Sequence, residues 1–107
     1  MTKITIVKND GVIRGFKIKG HSGYEESGKD IVCSAISAIS QMTLGGLKEV
    51  VGAKVDETTA DGFLQVMLKD DGGKSAQVLL KTMELAFEAL EKDYARYVKM
   101  EVKEDVY

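Results

Sequence analysis

The pattern of hydrophobic and polar positions divides the chain into five strand-like and two helix-like segments. Alternating stretches rich in β-branched residues predict strands at residues 2–8, 12–19, 53–58, 63–69 and 97–103. Apolar residues spaced three or four positions apart predict a helix from about Asp30 to Val51, and a second, capped by Ser75, that runs to about Asp93. The order ββαββαβ predicts an α+β fold: two layers, with a mostly antiparallel five-stranded sheet and both helices on one face.

The helical spacing also predicts which residues are buried. One stripe of the first predicted helix is expected to face the core: Val32, Ile36, Ile39, Thr43, Leu47 and Val50. A neighbouring stripe holds small polar residues: Cys33, Ser37 and Ser40. Gly45 and Gly46 predict a bend or a close contact, and Gly52 predicts the C-cap. The signal Asn9-Asp10-Gly11 predicts a hairpin turn between the first two strands.

Composition narrows the class of protein. The chain has 107 residues, 44% of them hydrophobic and 30% charged, which predicts a single globular domain over residues 1–107. Basic and acidic residues are interspersed at a net charge of −2, so we expect no direct nucleic-acid contact. No apolar run approaches the roughly 20 residues of a membrane span, and the first residues lack the long apolar region of a signal peptide, so we expect neither. One cysteine excludes an internal disulfide, so a cytoplasmic protein is expected.

The candidate chemistry lies between residues 20 and 40, which contain the only histidine and the only cysteine of the chain. If Asp30 is the N-cap, Cys33 lies in the first helical turn, where the dipole and free N–H groups favour a thiolate. A capping box from Ser27 to Asp30 would start the helix earlier; we favour Asp30 as the cap. His21 is a candidate base for the thiol, and Asp30 is either its orienting group or only a helix cap.

Other interpretations of the same stretch compete. A lone cysteine is often a small buried hydrophobe, and Ser37 and Ser40 suit close packing. Residues 23–29 match the phosphate-loop pattern G-x-x-x-x-G-K, but Asp30 stands where a hydroxyl residue should bind magnesium. His21, Asp30 and Cys33 lack the paired spacing of zinc ligands. We therefore expect neither a metal nor a cofactor.

The loop between the two candidate residues is polar and contains glycines that form turns. Its functional interpretation is a loop that moves aside to admit substrate and supplies N–H groups to an oxyanion. We expect residues 22–29 to be mobile in the free protein, with Tyr24 folding over a bound peptide. The candidate substrate-loop residues are Gly20, Ser22, Gly23, Tyr24 and Gly28.

The run Gly20-His21, a glycine-bearing loop and then Gly28-x-Asp30-Ile31-Val32-Cys33-Ser34-Ala35-x-Ser37 resembles the signature of the bacterial ribosomal-processing cysteine proteases. The likeness continues more loosely through residues 61–64 and the second helix. It implies that His21 and Cys33 are catalytic and that Asp30 and Ser37 support them.

The resemblance also implies a substrate and an assembly. It implies cleavage, after an aromatic pair, of a short N-terminal extension of a large-subunit ribosomal protein, the one numbered twenty-seven. It implies a homodimer as well. We therefore predict a cysteine endopeptidase that acts through a thioester acyl-enzyme. The alternative is a non-catalytic ribosome-associated binding protein with a packed cysteine, whose thiol would resist iodoacetamide in the folded state.

Overall fold

Five strands and two helices follow one another in the predicted order ββαββαβ. The computed structural model describes residues 1–20, 29–70 and 72–104, with side chains in the second range from Ile31 onward. The strands are β1 (Thr2–Asn9), β2 (Val12–Lys19), β3 (Val55–Ala60), β4 (Phe63–Leu68) and β5 (Val98–Glu104). The helices are α1 (Lys29–Gly45), continued by a π-helical segment (Gly46–Val51), and α2 (Gly73–Asp93).

The strands form one sheet in the order β3-β4-β2-β1-β5. Every neighbouring pair is antiparallel except β1 and β5, which run parallel. The predicted mostly antiparallel sheet with both helices on one face is confirmed. The connection from β4 to β5 passes through α2, and β5 joins the sheet at the edge beside β1, since β4 already lies between β3 and β2.

The core lies between the helices and one face of the sheet. Alternate residues of β1, β2 and β4 face it because side chains alternate along a strand, and Ile4 pairs with Ile18 and Ile6 with Phe16 across it. The helices supply residues at helical spacing. Fully buried residues include Ile4, Ile6, Phe16, Val66, Leu47, Leu80 and Phe87. Burial of these side chains is the main stabilising contribution to the fold.

The first hairpin turns where the sequence predicts it. Asn9 pairs with Val12, and the two residues between them, Asp10 and Gly11, have φ values of 51° and 79°. Positive φ at both central positions defines a type I′ turn, which matches the twist of the flanking strands. Asp10 tolerates this conformation better than most side chains, and Gly11 adopts it without strain.

The start of α1 differs from the prediction. The helix begins at Lys29, so Asp30 is its second residue and not its N-cap. The earlier start that the capping-box pattern indicates agrees better with the structure. The predicted cap of α2 is also wrong: this helix begins at Gly73 after Gly72, and Ser75 is its exposed third residue. Gly72 and Gly73 both adopt positive φ, 71° and 78°, and this glycine pair turns the chain into the helix before Ser75 is reached.

The end of α1 explains a third difference from the prediction. Val50 was expected in the buried stripe but is 85% exposed, whereas Val32, Ile36, Thr43 and Leu47 are buried as predicted. From Gly46 the backbone bonds to the fifth residue along, which changes the rotation per residue and turns Val50 away from the core. The predicted cap is confirmed, since Gly52 ends the segment at φ 76° and donates its N–H to the carbonyl oxygen of Leu47.

Residues 31–51 are long and apolar enough to cross a bilayer by length and composition alone, in contrast to the expectation from the sequence. Their apolar stripe nevertheless packs against the sheet, because Val32, Ile36 and Leu47 belong to the core cluster. This is the pattern of the core helix of a globular domain.

Candidate active site

A cleft with a volume of about 240 Å³ lies between α1 and the adjoining ends of β1, β2 and β4. Since β2 ends and β4 begins next to the start of β1, the three strands meet at one end of the sheet. The helix side of the cleft carries Cys33, Ile36, Ser37, Ser40 and Gln41, and the strand side carries Thr2, Ile18, Gly20, Gly62, Phe63 and Leu64. The described lining is apolar and neutral polar, with no charged side chain.

Cys33 is a free thiol, half-buried, on the helix wall of this cleft. Because α1 begins at Lys29, Cys33 is the fifth helical residue and lies in the second turn, not in the first as expected. The stabilisation of an anion by the helix dipole is weaker there. A helical Cα–Cβ bond tilts toward the N-terminus, so the side chain still lies alongside the first turn and its N–H groups without intrahelical acceptors.

The small polar stripe of α1 faces the cleft. Ser37, one turn after Cys33, is exposed at the cleft wall, where a bound molecule can reach its hydroxyl. Ser40 is buried, and its hydroxyl donates a hydrogen bond to the carbonyl oxygen of Ser37 at 3.2 Å. The packing interpretation therefore fits Ser40, whereas Ser37 is available for contact with a ligand.

Gly20 packs tightly against neighbouring backbone on the strand side of the cleft. Its N–H donates to the carbonyl oxygen of Gly62 at 2.9 Å, which ties the end of β2 to the turn before β4. Its φ is +118°, and a Cβ at this position would lie 2.5 Å from the carbonyl oxygen of Met1. Only glycine fits this conformation and this approach without strain. The backbone that leads into His21 is therefore fixed at the edge of the cleft.

The structure brings Gly20, Cys33 and Ser37 together at one cleft. The other candidates lie outside the described residues, or have only their backbone described in the case of Asp30: His21, Ser22, Gly23, Tyr24, Gly28 and Asp30. Thr2, Ile18 and Gln41 line the cleft but were not singled out from the sequence. The sequence places Thr2 and Ile18 near the ends of predicted strands, but this indicates a place at the cleft only once the strand order is known. The sequence gives no such indication for Gln41.

The described side chains also bear on metal binding. Over residues 1–20, 31–70 and 72–104, no group of three histidine, cysteine or acidic side chains is placed to hold a metal ion. Cys33 therefore belongs to no such group in this part of the chain. A free thiol at a cleft wall can act chemically as a nucleophile.

Comparison with known proteins shows the family of the chain. Residues 1–99 match the family model described as cysteine protease Prp. The chain belongs to this family. It is 26% identical over 106 residues to the ribosomal processing cysteine protease Prp of Staphylococcus aureus, covering 96% of this chain and 100% of that protein. It is 26% identical over 101 residues to the Prp of Bacillus subtilis, covering 88% of this chain and 90% of that one.

Solved structures of the Prp family share the fold. The S. aureus Prp in complex with a substrate peptide superimposes with a TM-score of 0.89 at 24% identity, over 96% of this chain and 100% of that chain. The S. aureus Prp with a covalently linked product peptide gives a TM-score of 0.87 at 25% identity, over the same shares of 96% and 100%. As a member of the Prp family, the chain is a cysteine protease.

Proposed function

We propose that this protein is the endopeptidase that removes the N-terminal extension of a large-subunit ribosomal protein, the one numbered twenty-seven, during ribosome assembly in the bacterial cytoplasm. The observation that carries the proposal is that the only cysteine of a chain from a cysteine protease family lies on the wall of an open cleft. The relatives that are named ribosomal processing proteases support the choice of substrate.

In the proposed reaction Cys33 is the nucleophile and His21 is the general base and acid. His21 takes the proton of the thiol, and the thiolate sulfur attacks the carbonyl carbon of the scissile peptide bond. The C–N bond breaks as His21 returns the proton to the leaving amine, which leaves a thioester between Cys33 and the acyl half of the substrate. Water, deprotonated by His21, then hydrolyses the thioester and regenerates the thiol.

The position of Cys33 makes a base necessary in this mechanism. In the second turn of α1 the helix dipole contributes less to a thiolate, and the described cleft lining supplies no cation. Deprotonation therefore rests on His21, one residue beyond the fixed Gly20. Asp30 and Ser37 would orient the histidine or the substrate. The N–H groups of the first turn of α1, which have no acceptors within the helix, would hold the oxyanion.

The cleft walls suit an extended peptide with apolar side chains. Ile18, Ile36 and Leu64 offer apolar contacts, and the neighbouring Ser37 and Gln41 offer hydrogen bonds to a peptide backbone. An aromatic pair before the cleaved bond would bury its rings against the apolar wall. The substrate-loop residues Gly20, Ser22, Gly23, Tyr24 and Gly28 would then close over the peptide and exclude water.

We also propose that the protein works as a homodimer. Exposed apolar side chains at Met42, Val50 and Val78 border a groove between α1 with its π-helical segment and α2, on the side away from the sheet. Exposed apolar surface of this kind is typical of protein–protein contacts. Val50→Glu, which places a charge on this surface, would give a monomer in sedimentation equilibrium. The control Thr58→Glu, exposed on β3, would leave the dimer intact.

Cleavage of the ribosomal protein tests the proposed function. The purified chain is incubated with the extended ribosomal protein, with the trimmed form, and with an extended form whose aromatic pair is replaced by two alanines. Mass spectrometry should show one cut that removes the extension from the first substrate and no cut in the other two. If the extended protein stays intact under conditions in which a relative's enzyme cleaves it, the proposed substrate is wrong.

A further inference from the structure

The face of the sheet opposite the helices carries a concentration of lysines. Alternate residues of β1, β2 and β5 point to this side, and the cross-strand partners Lys99, Lys3 and Lys19 form one row. Two further lysines follow along the strands. The five together are called the lysine face: Lys3, Lys17, Lys19, Lys99 and Lys103.

Few acidic residues neutralise the charge of the lysine face. Among the outward positions of β1, β2 and β5, Glu101 is the one acidic residue. It forms an ion pair with Lys3 at 3.2 Å and accepts a hydrogen bond from the Thr5 hydroxyl at 3.3 Å. The hydrogen bond from Lys3, with the charges of Lys3 and Lys17, lowers the pKa of Glu101. Within the described residues, Lys19, Lys99 and Lys103 form no ion pair.

The charge of the rest of the molecule has the opposite sign. The lysine face and Glu101 take five of the fifteen basic and one of the seventeen acidic residues, which leaves ten basic and sixteen acidic residues elsewhere. Like charges on adjacent strands destabilise a sheet, so the row Lys99, Lys3 and Lys19 is unfavourable in the free protein. A partner with closely spaced negative charges would relieve this repulsion.

We propose that the lysine face binds the phosphate backbone of single-stranded RNA and so holds the protease against its RNA-bound substrate. The proposal rests on the proposed ribosomal substrate. Adjacent strands are about 4.8 Å apart and alternate residues about 6.8 Å apart, so the lysines form a flat lattice of point charges. Such a lattice matches a regularly charged, flexible backbone, whereas an acidic peptide would also call for pockets to receive its side chains.

The position of the lysine face relative to the cleft supports this partner. Lys3 follows Thr2, and Lys19 lies between Ile18 and Gly20, all three of which line the cleft. The row of lysines continues across the sheet to Phe63, which pairs with Lys19 and borders the cleft. An RNA on this face would therefore pass next to a protein chain entering the cleft. This proposal departs from the expectation of no direct nucleic-acid contact, which rests on basic and acidic residues being interspersed along the chain. Strand alternation separates these lysines in sequence and gathers them on one face of the sheet.

Binding to a labelled oligouridylate of about 20 nucleotides tests the proposal. Fluorescence anisotropy is measured at 50 and 200 mM KCl for the wild type and for two triple variants with equal loss of charge. The test variant replaces the row: Lys3→Gln, Lys19→Gln and Lys99→Gln. The control replaces exposed lysines of α2: Lys74→Gln, Lys81→Gln and Lys92→Gln. Circular dichroism and thermal unfolding establish that both variants are folded.

The lysine face predicts a specific result. If about four phosphates are contacted, wild-type affinity falls roughly 50-fold between the two salt concentrations. The test variant loses about tenfold or more at 50 mM KCl with a shallower salt dependence, and the control stays within about twofold. The proposal is overturned if the wild type does not bind, if the control loses as much as the test variant, or if polyglutamate of equal length competes as well as unlabelled RNA.

A second readout separates this proposal from the proposed function. The test variant should cleave a free peptide spanning the processing junction at the wild-type rate, because none of its three lysines lines the cleft. Loss of peptide cleavage would mean that the row serves the cleft itself, which contradicts the proposal. If the chain binds RNA but no form of it cleaves the ribosomal protein, the proposed function is contradicted. RNA binding by the lysine face is then still supported.

Discussion

Replacing Gly20 by alanine perturbs the cleft at the residue before His21. Two features of the structure resist a side chain there: φ is +118°, and the new Cβ would lie 2.5 Å from the carbonyl oxygen of Met1. Backbone in a sparsely populated region costs about 1–3 kcal/mol for a non-glycine residue. The contact with Met1 is with backbone and must be relieved by moving the start of β1 away from the end of β2. Since strain and close contact act together, we expect Gly20→Ala to lower the free energy of unfolding by about 3 kcal/mol, the upper end of this range.

A matched substitution separates the two contributions. Gly11 also has a positive φ, +79°, but a Cβ there would meet nothing within 4 Å. Gly11→Ala should therefore cost only the backbone strain, about 1 kcal/mol. Urea unfolding of both variants, followed by circular dichroism, gives the difference. Equal losses of stability would show that the close approach of Gly20 to Met1 contributes nothing, and would refute this account of the cleft wall.

The activity of the Gly20 variant tests whether catalysis depends on the cleft wall at Gly20. A shifted Gly20 displaces the backbone that leads into His21, so kcat/KM for a junction peptide should fall more than the folded fraction does. Gly11→Ala, at the far end of the same hairpin, should keep its activity per folded molecule. Unchanged kcat/KM in folded Gly20→Ala would mean that the base does not depend on this wall.

Three further substitutions test other parts of the account. Gly45→Ala should raise the unfolding free energy by about 0.5–1 kcal/mol, because Gly45 is helical and its Cβ meets nothing within 4 Å; a loss of stability in urea unfolding would contradict this. Gln77→Ala should cost about 2 kcal/mol by the same assay, since the Gln77 amide bonds both the N–H and the carbonyl of Ile13, at 2.9 and 2.8 Å; a cost below about 0.5 kcal/mol would refute it. His21→Ala should lower kcat about 10²-fold or more with little change in peptide affinity, and an unaltered pH–rate profile would exclude His21 as the base.

Local patterns in the sequence predict most of the fold. The hairpin turn at Asp10 and Gly11, the cap at Gly52 and most of the buried stripe of α1 depend on neighbouring residues only, and these are found. The errors occur where local signals compete. Val50 fits the helical period, but the change to π-helical bonding at Gly46 rotates it outward. Asp30 suits a cap, but the helix already includes it.

Residue identity alone predicts only part of the candidate site. Cys33 stands out because it is the single thiol of the chain, and its cleft position agrees with that choice. Thr2, Ile18 and Phe63 could not be associated with it, because their proximity depends on the strand order β4-β2-β1. The lysine face could not be predicted for the same reason. A concentration of charge on one face of a sheet depends on which strands, distant in sequence, lie side by side.

Trapping of the acyl-enzyme tests the central claim, that Cys33 is the nucleophile, most directly. An activated p-nitrophenyl ester of the peptide that precedes the cleavage point is mixed with the protein, quenched in acid, and examined by intact-mass spectrometry with peptide mapping. The account predicts one acyl group per chain, linked to Cys33, released at neutral pH by hydrolysis, and absent from Cys33→Ser, which should also fail to cleave the junction peptide. Wild-type cleavage by Cys33→Ser, or an acyl group attached to any other residue, would contradict it.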